Sequence, residues 1–139
     1  MKREVRVALI LGKELRKERV YVLAVFRGKI IEGIEFFKAK NSFNLASAIV
    51  SSKYYNEIRF FIFIGGSDPL VNNDAYVRLA KPVIVSEGLN NIIATYGMSF
   101  DEARSLLNFL AKNTFLNILA FLETVSTSAI KVLEEVKNA

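Results

Sequence analysis

The sequence predicts an α/β domain built on a mixed five-stranded sheet, an antiparallel meander followed by parallel strands, flanked by helices. Three observations predict it. Short β-branched apolar runs recur across residues 5–37 with a tight turn between the last two. RFFIFIGGSDP (59–69) is an unbroken apolar run delivered into a glycine turn, the pattern of a buried strand. Later segments carry apolar residues at three- and four-residue spacing, the pattern of helices packed on one face.

The elements follow in order. VRVALIL (5–11) is a strand, and GKELRKER (12–19), mostly charged, reads as a loop or wide hairpin. VYVLAVF (20–26) is the second strand, and Arg27-Gly28-Lys29 is a tight turn whose glycine is free to take positive φ. IIEGIEFF (30–37) is the third strand, completing a meander. Asn41 or Ser42 caps a helix with Phe43, Ala46, Ile49 and Val50 along one face. EIRFFIFI (57–64) is the central strand. A short helix runs from Asn72 to Ala80, capped by Asn72 or Asn73, and residues 82–85 (PVIV) form a short parallel strand. Gly88 to Tyr96 is predicted as a helix carrying Leu89, Ile92 and Ile93, ended by a left-handed Gly97. Ser99 and Glu102 form a capping box at the head of a helix that reaches about Lys112. A last helix, Phe115 to about Lys137, is apolar around so much of its girth that it is buried on two sides or pairs with a second copy. This order of elements is that of a ribonuclease H-like fold.

The 139 residues suit one domain, taken as 1–139. There is no Cys, His, Trp or Gln. That composition removes Cys/His zinc sites and histidine-based nucleophilic catalysis, and leaves carboxylate, Lys, Tyr, Ser or Thr chemistry. Missing Cys and Gln favour a heat-adapted source, although eleven Asn residues pull the other way. No apolar run approaches the ~20 residues that span a bilayer. MKREVRVALIL lacks a small-residue cleavage site, so the expected compartment is the cytoplasm. The net charge of +5 is uneven: residues 1–40 hold 11 Lys/Arg against 5 Asp/Glu, and the rest of the chain is nearly balanced. A basic half suits an acidic partner such as nucleic acid, and equally suits a solvated, strongly charged hairpin.

SSKYYNEIRFFIFIGG, then LAKPVIVS, then GMSFDEARSLLNFLAKNT and an apolar helix near SAI resemble an archaeal family related to endonuclease V, some of whose members are described as endonuclease dU. The resemblance spans roughly residues 6–130 and rests on the order and spacing of these pieces. It implies a ribonuclease H-like fold and cutting of nucleic acid beside a deaminated base, a DNA-repair activity that depends on Mg²⁺ or Mn²⁺. In the family a strand ends in Leu-Asp-Gly, and its Asp helps to hold the metal. Here Ile64 takes the place of that Asp, and Gly65 matches the glycine. The family's first strand ends in an acidic pair; here Leu11, Gly12 and Lys13 stand there, with Glu14 one turn too late. Beyond Thr114 the family carries Arg, Gly and Pro and then a histidine, where this chain has Phe115, Leu116 and Asn117 and no histidine. The resemblance therefore implies a degenerate site at Leu11, Gly12, Ile64 and Gly65, with no metal cofactor expected.

Asp68 and Asp74 are the fallback carboxylates, and Mg²⁺ or Mn²⁺ is the cofactor expected if the site is active. Each has an ordinary reading too: Asp68 before Pro69 is turn chemistry, and Asp74 suits the first turn of a helix. Glu32 and Glu35 face opposite sides of a regular strand and form a pair only if Gly33 introduces a bulge. Gly65-Gly66 serves either as a phosphate cradle or as a plain chain reversal, and no P-loop lysine follows. Lys13, Arg16, Lys17 and Arg19 are the candidates for nucleic-acid contact. Three functions stay open: a catalytically silent binding or assembly module, a nuclease with relocated carboxylates, and an oligomeric protein-interaction module, with a homodimer through the last helix as one form.

Overall fold

The structure, a computed structural model, describes residues 5–15, 17–28, 30–65, 68–88 and 91–113. The predicted helix over 115–137, and the dimer contact assigned to it, lie outside those residues. So do Arg16 and Gly66.

Among the described residues the architecture is a mixed α/β fold with six strands rather than five. β1 (Arg6–Leu15), β2 (Glu18–Arg27) and β3 (Ile30–Ala39) form the antiparallel meander. β4 (Ile58–Ile64) lies parallel to β1, and β5 (Val83–Glu87) lies parallel to β4. β6 (Asn91–Tyr96) runs antiparallel to β5, so the order across the sheet is β3-β2-β1-β4-β5-β6. α1 (Ser42–Val50) and α2 (Asn73–Leu79) cover one face, where Leu45, Ala46, Ile49, Tyr76 and Leu79 pack on Ala8, Ile10, Leu23 and Phe61. α3 (Phe100–Asn113) packs on the other, with Ala103, Leu107 and Leu110 against Leu9, Val22, Phe60 and Ile62. Among the described residues no helix is long and apolar enough to cross a membrane.

Three expectations need correction. Of the two readings of residues 12–19, the hairpin holds and the loop does not, and the hairpin is narrow rather than wide: its ladder runs to Leu15 and Glu18, with Lys17 at φ +69°. Backbone pairing needs no apolar side chain, so the charge run here is compatible with a paired strand. Residues 91–96 are a strand, not part of a helix. Ile92, Ile93, Thr95 and Tyr96 are β-branched or aromatic, and Gly88 takes φ +70° to turn the chain. The Ser86 hydroxyl, fully buried, donates across that turn to the carbonyls of Gly88 (2.7 Å) and Asn91 (3.0 Å). Gly97 is left-handed as expected, but it follows a strand. On α1 the buried face is Leu45, Ala46 and Ile49, while Phe43 and Val50 stay exposed.

The caps agree with the side chains that suggested them. Asn41 Oδ1 accepts from Asn44 N (2.8 Å), and Asn72 Oδ1 accepts from Ala75 N (3.2 Å). Ser99 Oγ accepts from Glu102 N and donates to Glu102 Oε1, both at 3.1 Å. A bulge does interrupt β3: Val25 faces Gly33 and Phe26 faces Ile31, leaving Glu32 as the extra residue. The Tyr54 ring fills the space beside Gly33, where a Cβ would come within 2.3 Å of it.

Candidate functional site

The parallel β1–β4 ladder brings the two degenerate strand ends together, with Leu11 directly beside Ile64. Leu11 is 6% exposed and belongs to the core under α3, and Ile64 packs against that same core. This rung offers no side-chain oxygen to a ligand.

The next residue along β1 turns to the opposite face. Gly12 sits across from Tyr21 on β2, and Asp68, beyond the end of β4, approaches it. Gly65 follows β4 at φ +101°, a conformation that favours glycine, and its N–H donates to the Ser86 carbonyl (2.8 Å). Asp68 Oδ2 accepts from the Tyr21 hydroxyl (2.7 Å), and Oδ1 accepts from Leu70 N (2.9 Å). Arg19 Nε lies 3.1 Å from Oδ1 as an ion pair, shut off from solvent but not aligned for a hydrogen bond. The Asp68 side chain is only 8% exposed and that of Arg19 24%. Gly12 makes this approach possible, because a Cβ there would stand 2.7 Å from the Tyr21 ring and 2.9 Å from Asp68 Oδ2. Tyr21 is also held by stacking on Phe37, ring centroids 5.6 Å apart.

The electrostatics fit this arrangement. Burial, and then the hydrogen bond to Asp68 and its charge, push the Tyr21 hydroxyl well above its ordinary pKa, so it stays a donor. Burial pulls Arg19 down, but the neighbouring Tyr21 and Asp68 outweigh it and the guanidinium is raised.

A cavity of about 70 Å³ lies here, lined by Gly12, Arg19, Tyr21, Ile64, Gly65 and Asp68 among others. A wider cleft of about 720 Å³ also has Arg19 in its wall, along with Lys17, Lys38 and Lys40 and the acids Glu14 and Glu18. Lys38 Nζ lies 3.0 Å from Glu18.

The predicted site residues therefore separate. Gly12, Ile64, Gly65, Asp68 and Arg19 converge on the small cavity, while Leu11 is in the core behind it. Asp74 does not line the cavity; it is exposed and pairs with Arg78 on its own helix (3.3 Å). Lys13 is exposed on β1 and Lys17 in the turn, whereas Arg19 is drawn inward. Glu32 lies 2.8 Å from Arg6, and Glu35 accepts from the Ser52 hydroxyl (2.7 Å), so the bulge at Gly33 leaves each with a separate partner. The sequence reading missed the Tyr21–Asp68 bond and the place of Lys38 and Lys40 in the cleft. Period-two alternation, which puts Arg19 and Tyr21 on one face of β2, was the available signal.

A carboxylate-held Mg²⁺ or Mn²⁺ does not fit these residues. Leu11 and Ile64 supply no ligand, Asp68 already accepts two hydrogen bonds, and a guanidinium stands against it. Among the described residues no three His, Cys, Asp or Glu side chains come together.

No protein-family model and no curated protein matches the chain. The crystal structure of a protein of unknown function from Archaeoglobus fulgidus DSM 4304 is similar at a TM-score of 0.61 and 18% identity, over 74% of this chain and 84% of that one. At that identity the likeness shows a shared fold. The Mos1 transposase catalytic domain, solved with raltegravir and Mg, matches at a TM-score of 0.31 and 10% identity over 84% of this chain and 69% of that one, too remote to carry an argument.

Proposed function

We propose that this protein is a ribonuclease H-like relative of the endonuclease dU-like family whose nuclease centre has lapsed, and that it serves as a binding module for nucleic acid. The observation that carries this reading is the junction of β1 and β4. Its last rung, Leu11 beside Ile64, is apolar, and Asp68, the carboxylate that lines the cavity with Ile64, is paired with Arg19. The strand order supports the fold assignment: an antiparallel meander, then β4 and β5 parallel to β1, with β6 added at the margin. The basic end of the first hairpin supports the ligand class. Lys13 and Lys17 project from it, and Lys38 and Lys40 line the cleft beside it. Such cations neutralise phosphates and give affinity that falls steeply with salt.

The test is an incubation of deoxyuridine- and deoxyinosine-containing DNA with the protein and Mg²⁺ or Mn²⁺, run beside a binding measurement across salt. Binding at low salt without cleavage is expected. Cleavage that disappears in Asp68→Ala or Asp74→Ala would establish a nuclease with relocated carboxylates instead. Absence of binding even at low salt would leave a protein-interaction role.

A further inference from the structure

We propose that the wide cleft beside the first hairpin takes an unpaired strand of nucleic acid in preference to a duplex, with Lys17, Lys38 and Lys40 on its phosphates and Pro69 and Leu70 against its bases. The inference rests on the nucleic-acid reading above and names the form of the ligand.

The lining of the cleft combines two kinds of surface. Lys17 comes from the turn between β1 and β2, and Lys38 and Lys40 from the end of β3; all three are exposed. Lys38 is paired with Glu18 at 3.0 Å, but both side chains are nearly half exposed, and an ion pair in that setting is weak enough to yield to a phosphate. Ala39, Pro69 and Leu70 supply the apolar part. Pro69 and Leu70 are held in place: Leu70 N donates to Asp68 Oδ1 (2.9 Å), and the Pro69 carbonyl accepts from Asn72 Nδ2 (3.1 Å). An apolar surface fixed before binding costs little ordering when a ligand arrives.

A duplex keeps its bases stacked inside and meets a protein through its phosphates and groove edges. It could reach the lysines but could not lay a base face on Pro69 or Leu70. An unpaired strand exposes that face, and every base has one, so such contact adds affinity without reading sequence. The acids point the same way. Glu14 and Glu18 share the lining with the lysines, so a rigid double row of phosphates meets repulsion along with attraction. A flexible strand can seat its phosphates on the lysines and pass the acids by. The volume of about 720 Å³ suits one or two nucleotides, since it falls among sites that enclose small ligands, about 300–1,000 Å³.

Fluorescence anisotropy with a labelled oligothymidylate and a blunt duplex of equal length, titrated at several salt concentrations, tests this. The apolar part is aliphatic and gives less than an aromatic platform, so the single strand should bind about fivefold more tightly. Its log–log salt slope should be about −2, from three phosphates released at ~0.7 each. Pro69→Ser and Leu70→Ser should bring single-strand affinity down to the duplex level and change duplex affinity by less than about twofold. Pro69 is exposed, so its variant carries the test if Leu70→Ser does not fold. Lys40→Ala should weaken both ligands, whereas Arg104→Ala, on α3, should weaken neither. Equal affinity for the two forms would overturn the proposal, as would a preference that survives in folded Pro69 and Leu70 variants, or a loss in Arg104→Ala matching that in Lys40→Ala. Each of those results would leave the nucleic-acid reading standing; binding of neither form at low salt would remove both.

Discussion

On one face of the sheet, the end of β1 presents Leu11 to the core beneath α3; on the other, Gly12 opens onto Tyr21 and Asp68. Adjacent residues thus sit in opposite surroundings. The first side is dry and indifferent to charge. The second is polar and balanced, with an acid, a base and a phenol arranged around a small void. The contrast teaches that the two sides are ill suited to a divalent ion for different reasons. One offers no side-chain oxygen, and in the other the acid already has Tyr21, Leu70 N and Arg19 against it.

Mutations can break or sharpen that contrast. The largest effect is expected for Leu11→Asp, which places a carboxylate among apolar side chains with no partner. It should cost about 4 kcal/mol in urea unfolding, and Ile64→Asp, at a less enclosed position, should cost less. Asp68→Ala strips Arg19 of its counter-charge and Tyr21 of its acceptor, and should cost about 3 kcal/mol in the same assay. Gly12→Ala drives a methyl into Tyr21 and Asp68 and should cost about 2 kcal/mol, with faster amide exchange at residues 68–71. Tyr21→Phe removes one hydrogen bond to a charged acceptor, about 1.5 kcal/mol at neutral pH.

Tyr21→Phe also alters the alkaline limb of stability. Burial raises Tyr21 and Tyr76 above their unfolded value. Their contribution is therefore complete below about pH 10 and is lost as pH climbs through the folded value. The decline above about pH 10 should be shallower in Tyr21→Phe than in the wild type, as followed by thermal melts. The smallest effect on stability is expected for Lys17→Ala and Lys40→Ala, within about 0.5 kcal/mol. In DNA binding each should lower the salt slope by about one.

The meander, the buried strand before Gly65 and the caps at Asn41, Asn72 and Ser99 were legible because each rests on local chemistry. A short β-branched run or a side chain three residues from an open N–H needs no knowledge of the rest of the chain. Residues 91–96 misled because Ile92 and Ile93 fit either period over so short a stretch, and the Ser86 bonds that fix the hairpin are visible only in three dimensions. The hairpin tip was only half legible, because its charge run suits a loop as well as a hairpin. Asp68 carried two readings, a fallback carboxylate and a turn residue, and its bond from Leu70 N is turn chemistry. Its pairing with Tyr21 and Arg19 joins segments that the local pattern cannot connect.

β6 carries no charged side chain, and among the described residues it forms one margin of the sheet. Margins of that kind invite other chains to zip on. Ile93 interrupts the invitation: Val85 pairs with Ala94 and Ser86 with Ile92, so Ile93 is an extra residue that twists the border out of register. Deleting Ile93 to straighten the border would turn a quiet flank into a template for aggregation.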